Sequence, residues 1–235
     1  MNTDQLRAMV GAAHAILFDF DGPLCSVFAG LPARAVAATL LAVLHDRIPT
    51  VDLEAFDADD PLDVLRYSEQ FGRVVVTEIE DALVGAERRA VQSATPTPGG
   101  TRAVQSCVTT GRQVAVVSNN SADAVQDYLV SHGLDELVHA VVGRPYAEPH
   151  RMKPNSEPVR QAAHMLSVHP ADTLLIGDSL SDIEAARGAG VACVGLANKV
   201  AKWDRLAEAD IVIGDMDMLA EALDAAPAYP SPQAK

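Results

Sequence analysis

Asp19 and Asp21 close an almost continuous apolar run, AILFDF, just before the polar turn Asp21-Gly22-Pro23. Two other apolar runs end in comparable polar groups: Ser118 and Asn119 follow QVAVV, and Asp178 and Asp182 follow TLLIG. As neighbouring strands of one parallel sheet, these runs would bring their polar ends to the edge where open α/β sheets bind ligands. Carboxylates gathered there repel one another unless a cation neutralises them, and an all-oxygen donor set suits a hard ion such as magnesium (Mg2+). Lys153 is the first of four lysines and lies in the proline-broken loop RMKPNSEP. Beside an acidic metal site its ammonium is a point charge able to hold a phosphate oxygen or a nucleophilic carboxylate. Taken singly, several of these residues have plainer uses: Lys153 as a solvated charge, Ser118 as a helix cap, and Ser179 with Asp182 as a capping box. Asp19 and Asp178, at the ends of apolar strands, have no such simple use.

The elements that must position these groups follow from the hydrophobic pattern. Apolar runs without alternation, as in strands covered on both faces, occur at 15–20, 113–121 and 173–179, with weaker ones at 138–142, 191–194 and 210–213. Between them Val159, Ala162, Ala163 and Leu166 recur at helical spacing, and Ile183, Ala186 and Arg187 begin a helix stopped by Gly188 and Gly190. Alternating strands and helices imply an α/β fold, a doubly wound parallel sheet. The interval 25–95 breaks that alternation with helical stretches at 32–45, 61–71 and 78–92, followed by the loop TPTPGG. The expected organisation is an α/β core over 1–24 and 96–226, a helical insert over 25–95, and a frayed tail over 227–235, rich in proline and small polar residues.

Composition narrows the function classes. The 235 residues are 49% hydrophobic, enough for a sizeable core, and only 4% aromatic. The net charge of −14, with basic residues scattered rather than striped, argues against nucleic acid as a partner. No apolar run reaches the roughly 20 residues of a membrane span, and the opening MNTDQLRAMVGAAH lacks a signal-peptide pattern, so a soluble cytoplasmic protein is expected. Cys25, Cys107 and Cys193 lack metal-ligand spacing and read as buried free thiols. His45 and His150 read as ordinary surface or loop histidines.

Together, DFDGP (19–23), VVSNN (116–120), MKP (152–154) and GDSLSD (177–182) resemble, in order, the four motifs of the haloacid dehalogenase-like superfamily. The resemblance implies that Asp19 attacks phosphorus and becomes an aspartyl-phosphate, while Asp21 protonates the leaving alkoxide and then activates water. It further implies a magnesium ion held by the Asp19 side chain, the Asp21 backbone carbonyl and Asp178. Ser118 and the free amides at Asn119 and the following helix N-terminus would hold phosphate oxygens. Lys153 would neutralise charge on the phosphoryl group, and Asp182 would position Lys153 or a metal-bound water. Pro23 departs from the family pattern, which often has threonine or serine there, and it removes a backbone donor.

An insert directly after the first motif resembles the helical cap of the branch that includes phosphoglycolate phosphatase and β-phosphoglucomutase. Residues 25–95 carry six arginines and twelve acids, net −6, which disfavours polyanionic substrates. The insert has no lysine, so the Schiff-base chemistry of phosphonatase relatives is absent, and Asp21 argues against dehalogenation. The resemblance thus implies a magnesium-dependent phosphatase acting on a small phosphorylated metabolite. The alternatives are a sugar phosphomutase, for which the insert lacks a G-x-S-R string, and a catalytically silent binding protein. Arg34, opening the first insert helix, is the residue expected to touch substrate.

Overall fold

The computed structural model describes residues 3–51 and 59–229; residues 1–2, the 52–58 stretch of the insert and the tail from 230 onward lie outside the described residues. Six parallel strands form the central sheet: β1 (Ala15–Phe18), β4 (Gln113–Val117), β5 (Ala140–Val142), β6 (Thr173–Gly177), β7 (Ala192–Leu196) and β8 (Ile211–Ile213). Their order is β5-β4-β1-β6-β7-β8, so the three motif-bearing strands β4, β1 and β6 are adjacent. Every residue of β1 and β6 is buried, as their unbroken apolar composition requires.

Helices cover both faces. One apolar cluster joins Ile16, Phe18, Val114 and Val116 to α1 (Thr3–Ala12), α5 (Gly100–Thr109), α6 (Ala122–Ser131) and α10 (Met216–Asp224). The other joins Leu17, Ala115 and Leu175 to α7 (Glu157–Met165) and α8 (Leu180–Ala189). A short helix, α9 (Lys202–Arg205), lies between β7 and β8.

The crossing between core and insert is a two-stranded antiparallel ribbon, β2 (Cys25–Ser26) on β3 (Thr95–Pro96). Between these strands α2 (Ala33–Arg47), α3 (Pro61–Ser68) and α4 (Arg73–Ala90) enclose their own apolar cluster of Val36, Leu40, Leu44, Val64, Leu65, Ile79 and Leu83. Asp60 caps α3 through Leu62 N at 2.9 Å, with Pro61 preset for the first helical position.

Three local expectations change. α4 begins at Arg73, five residues before the expected start, because burial of Val75 and Val76 overrides the weak helix propensity of the run Val74-Val75-Val76. α8 runs through Gly188 and ends at Gly190, which takes the left-handed conformation at φ 73°. The start of the tail is docked rather than frayed. Tyr229 N donates to Thr110 O at 2.9 Å, its ring sits edge-on to His14, and the Arg112 guanidinium lies 5.2 Å from the ring centre. The three cysteines are free and buried, as read from the sequence. No described helix is long and apolar enough to cross a membrane.

Candidate active site

The ends of β1, β4 and β6 open into a cavity of about 360 Å³ lined by Asp19, Asp21, Ser118, Asn119 and Asp178 from the core. Asp19 ends β1 with one oxygen anchored: Oδ1 accepts from Phe20 N at 2.7 Å and from Lys153 Nζ at 2.8 Å. Oδ2 accepts from no protein donor among the described residues, and Asp19 is among the groups that line the cavity. Burial first, and then the charge of Asp182, push the Asp19 carboxyl up to about 8 against the opposing pull of Lys153. Asp21 accepts from Val27 N at 3.0 Å, and burial raises its carboxyl above the ordinary range.

Between them and β6 the chain turns at Gly22, with φ 114°, where a Cβ would stand 2.3 Å from Asp178 Oδ2. Only glycine allows this turn to approach Asp178 so closely.

Lys153 is buried behind Asp19 rather than exposed to the cavity. Its ammonium donates to Asp19, to Asp182 Oδ1 at 2.6 Å and to Val117 O at 2.9 Å, using all three hydrogens. Burial alone would lower its pKa, but Asp182 and then Asp19 overcome this and hold it charged. Of the two contacts open to Lys153 in the sequence, the geometry shows the one with a carboxylate, that of Asp19. Asp182, expected to position Lys153 or serve the metal, has both oxygens engaged. Oδ1 meets Lys153, and Oδ2 accepts from Asp178 N, Ser179 N and Ser179 Oγ, completing the capping box of α8.

Ser118 Oγ donates to Asn120 Oδ1 at 3.2 Å and accepts from Asn120 N at 3.0 Å. The Asn119 amide is a clamp: Oδ1 accepts from Lys153 N at 2.9 Å and Nδ2 donates to Lys153 O at 3.0 Å, tying the β4 loop to the lysine loop. At the N-terminus of α6, expected to offer free donors to phosphate, two of the donors are taken. Glu87 of α4 accepts from Ser121 N at 2.9 Å, and Ser121 Oγ caps Ala124 N.

Carboxylate oxygens of Asp19, Asp178 and Asp182 lie within 4.8 Å of one another, close enough to share one cation. The donors are all oxygen and the site is crowded enough to raise Asp19, Asp21 and Asp178 together, each chiefly by burial, so the residues present fit a hard divalent ion. Since Asp182 is committed elsewhere, Asp19 and Asp178 are the side chains available to it.

The sequence reading missed several residues here. Lys202 of α9 ion-pairs with Asp178 Oδ2. Arg144, buried after β5, pairs with Glu80 and Glu87 of α4 at 2.6 and 2.7 Å. A signal for that pair existed: Glu80 and Glu87 are seven residues apart, two turns on one helix face, within the stripe of Ile79, Leu83 and Ala86 that α4 buries. Arg34 stands outside the cavity, largely exposed, with Asp59 at 3.7 Å. Arg66 of α3 lines the cavity instead, its guanidinium 2.8 Å from Asp63.

The family model for the haloacid dehalogenase-like hydrolases matches residues 16–196, from β1 through β7. The chain belongs to that family. Among curated relatives of this haloacid dehalogenase-like hydrolase, the plasmid phosphoglycolate phosphatase of Cupriavidus necator is 37% identical over 82 residues, covering 34% of each chain. Pyrophosphatase PpaX of Halalkalibacterium halodurans is 31% identical over 108 residues, 45% of this chain and 49% of that protein. The matches therefore span between a third and a half of these relatives. Among solved structures, CbbY from Rhodobacter sphaeroides in complex with phosphate has a TM-score of 0.69 at 21% identity, covering 90% of this chain and 99% of that one. At that identity the likeness is one of fold.

Proposed function

We propose that this hydrolase is a magnesium-dependent cytoplasmic phosphatase that cleaves a small-molecule phosphate monoester through an aspartyl-phosphate on Asp19. The observation that carries the reading is the asymmetry of Asp19, one oxygen fixed by Lys153 and Phe20 N and the other left for a ligand in the cavity. The phosphatase names of the sequence relatives support the same class.

In this mechanism Asp19 Oδ2 attacks phosphorus, the ester P–O bond breaks, and the leaving alkoxide takes a proton from Asp21. Asp21, now ionised, removes a proton from water, which attacks the phosphoryl group and restores Asp19. A carboxyl raised by burial suits Asp21 to hold the proton that the first step needs. Lys153 keeps Oδ1 in place, and Asp182 keeps Lys153 in place. Ser118, its hydroxyl hydrogen turned from Asn120 Oδ1 to the ligand, and the Asn119 N–H hold phosphate oxygens. A magnesium ion would be held by Asp19, the Asp21 carbonyl and Asp178, and it would supply charge neutralisation for the phosphate dianion.

The insert is proposed to act as a cap, excluding water and contributing Phe28, Pro61, Leu62, Asp60 and Arg66 to the cavity wall. A wall with acidic and apolar groups beside one arginine suits a substrate whose distal end is small and carries little further negative charge.

The test is phosphate release from a panel of small monoesters, including an aryl phosphate, with magnesium, with chelator and with Asp19→Asn. Turnover that requires magnesium and disappears in the variant supports the reading. A folded, magnesium-loaded protein that releases phosphate from none of them overturns it.

A further inference from the structure

Glu80, Glu87 and Arg144 form a buried ionic cluster with no part in the chemistry above, yet it touches the phosphate-holding loop at three points. Both glutamate side chains are 1% exposed and the Arg144 side chain 0%. Arg144 spreads its fork over both acids, with Nε and Nη2 on Glu80 and Nη1 and Nη2 on Glu87, and Nη1 also reaches Asn119 O at 2.6 Å. Glu87 in turn accepts from Ser121 N through Oε2 and from Asn120 Nδ2 through Oε1, the latter at 3.2 Å. That last bond has a direction. With Nδ2 committed to Glu87, Asn120 must present Oδ1 to Ser118, and there it accepts the Ser118 hydroxyl.

We propose that Glu87, held by Arg144 and Glu80, is a positioning residue through which the insert fixes the loop that carries Ser118 Oγ and the Asn119 N–H. The relay runs from Arg144 to Glu87, from Glu87 to the Asn120 amide, and from that amide to Ser118. It makes the phosphate loop correct only when α4 is seated on the core. The carboxylate also sits on the N-terminus of α6, where the helix dipole and the Ser121 N–H favour its charge. Arg88, the next residue of α4, pairs with Asp127 of α6 at 2.7 Å, so the same turn of α4 is fastened to the core twice. The inference rests on the phosphatase reading for the identity of the ligand at Ser118.

The polarity of the Glu87–Asn120 bond supplies a test. Glu87→Gln and Asn120→Asp should each set like groups against one another and weaken inorganic phosphate, measured by calorimetry and as product inhibition, about tenfold. In the double variant the introduced glutamine amide donates to the introduced aspartate and the local charge is restored, although its NH2 group then faces Arg144 Nη1 where Glu87 Oε1 accepted. Phosphate affinity should then recover in part, to a loss well below that of the two single variants combined. Circular dichroism and thermal melting of each variant identify the folded fraction, and Asn120→Asp carries the test where Glu87→Gln fails to fold.

Single variants that lower the melting temperature while leaving phosphate affinity and the KM-to-kcat balance unchanged would overturn the relay, as would a double variant as weak as the two singles combined. Wild type that turns over no phosphate ester contradicts the proposed function. Wild type that turns over normally beside unaffected single variants contradicts this inference alone.

Discussion

Two buried clusters of charge border the same cavity, and each opposes two carboxylates with one cation: Asp19 and Asp182 with Lys153, Glu80 and Glu87 with Arg144. The arginine cluster is closed. A planar fork with five N–H groups meets both acids, and backbone and amide donors take the oxygens that remain. The lysine cluster is left open on one side. A compact ammonium with three hydrogens satisfies Asp182 and one oxygen of Asp19 and leaves the other to the cavity, at the cost of a carboxyl pushed up to about 8 by burial and then Asp182. Under the proposed function, the choice of cation separates buried acids that fasten the insert from one that reacts.

The contrast is tested most severely by neutralising one acid of the open cluster. Asp19→Asn should reduce phosphate release by roughly 10⁴-fold or more. It should cost no thermal stability, because ionising a carboxyl whose pKa is raised in the folded state disfavours folding at neutral pH. Opening the closed cluster should do the reverse. Arg144→Met leaves Glu80 and Glu87 buried without a cation, an expected loss of about 3–5 kcal/mol in urea unfolding, while Arg144→Lys loses less.

Removing the cation of the open cluster, Lys153→Met, should lower kcat by about 10² to 10³, because Asp19 loses the partner that fixes Oδ1. Magnesium at about 100 times its dissociation constant should add about 2.7 kcal/mol of stability, read from melting curves, and Asp178→Asn should abolish that gain. The smallest effects belong to the insert arginines. Arg66→Ala should raise KM about tenfold through its place in the cavity wall, whereas Arg34→Ala should change stability by no more than about 0.5 kcal/mol.

The open cluster was legible in the sequence and the closed one was not, for a physical reason. Asp19, Ser118 and Asp178 end apolar strands, and a parallel sheet must bring strand ends to one edge, so pattern alone assembles them. The partners of Lys153 were readable only as far as the resemblance carried them. Periodicity marks Glu80 and Glu87 as acids on the buried stripe of α4, but their meeting with Arg144 across 57 residues or more is set by how the insert docks. Arg34 and Arg66 show the same limit: both open or sit on insert helices, and only packing decides which faces the cavity. Tyr229 was hidden by its proline-rich neighbours, although an aromatic ring beside a buried arginine is enough to dock a tail.

The proposed catalysis turns on whether Asp19 carries the phosphoryl group. Asp21→Asn tests this with an aryl phosphate, whose leaving group needs no proton, so that the first step proceeds and the second stalls. Quenching this variant during turnover and reducing with borohydride should convert Asp19, and no other carboxylate, to homoserine, as located by peptide mass spectrometry. Release of the aryl alcohol with Asp19 unchanged, or reduction at a different aspartate, would contradict a phosphoenzyme on Asp19.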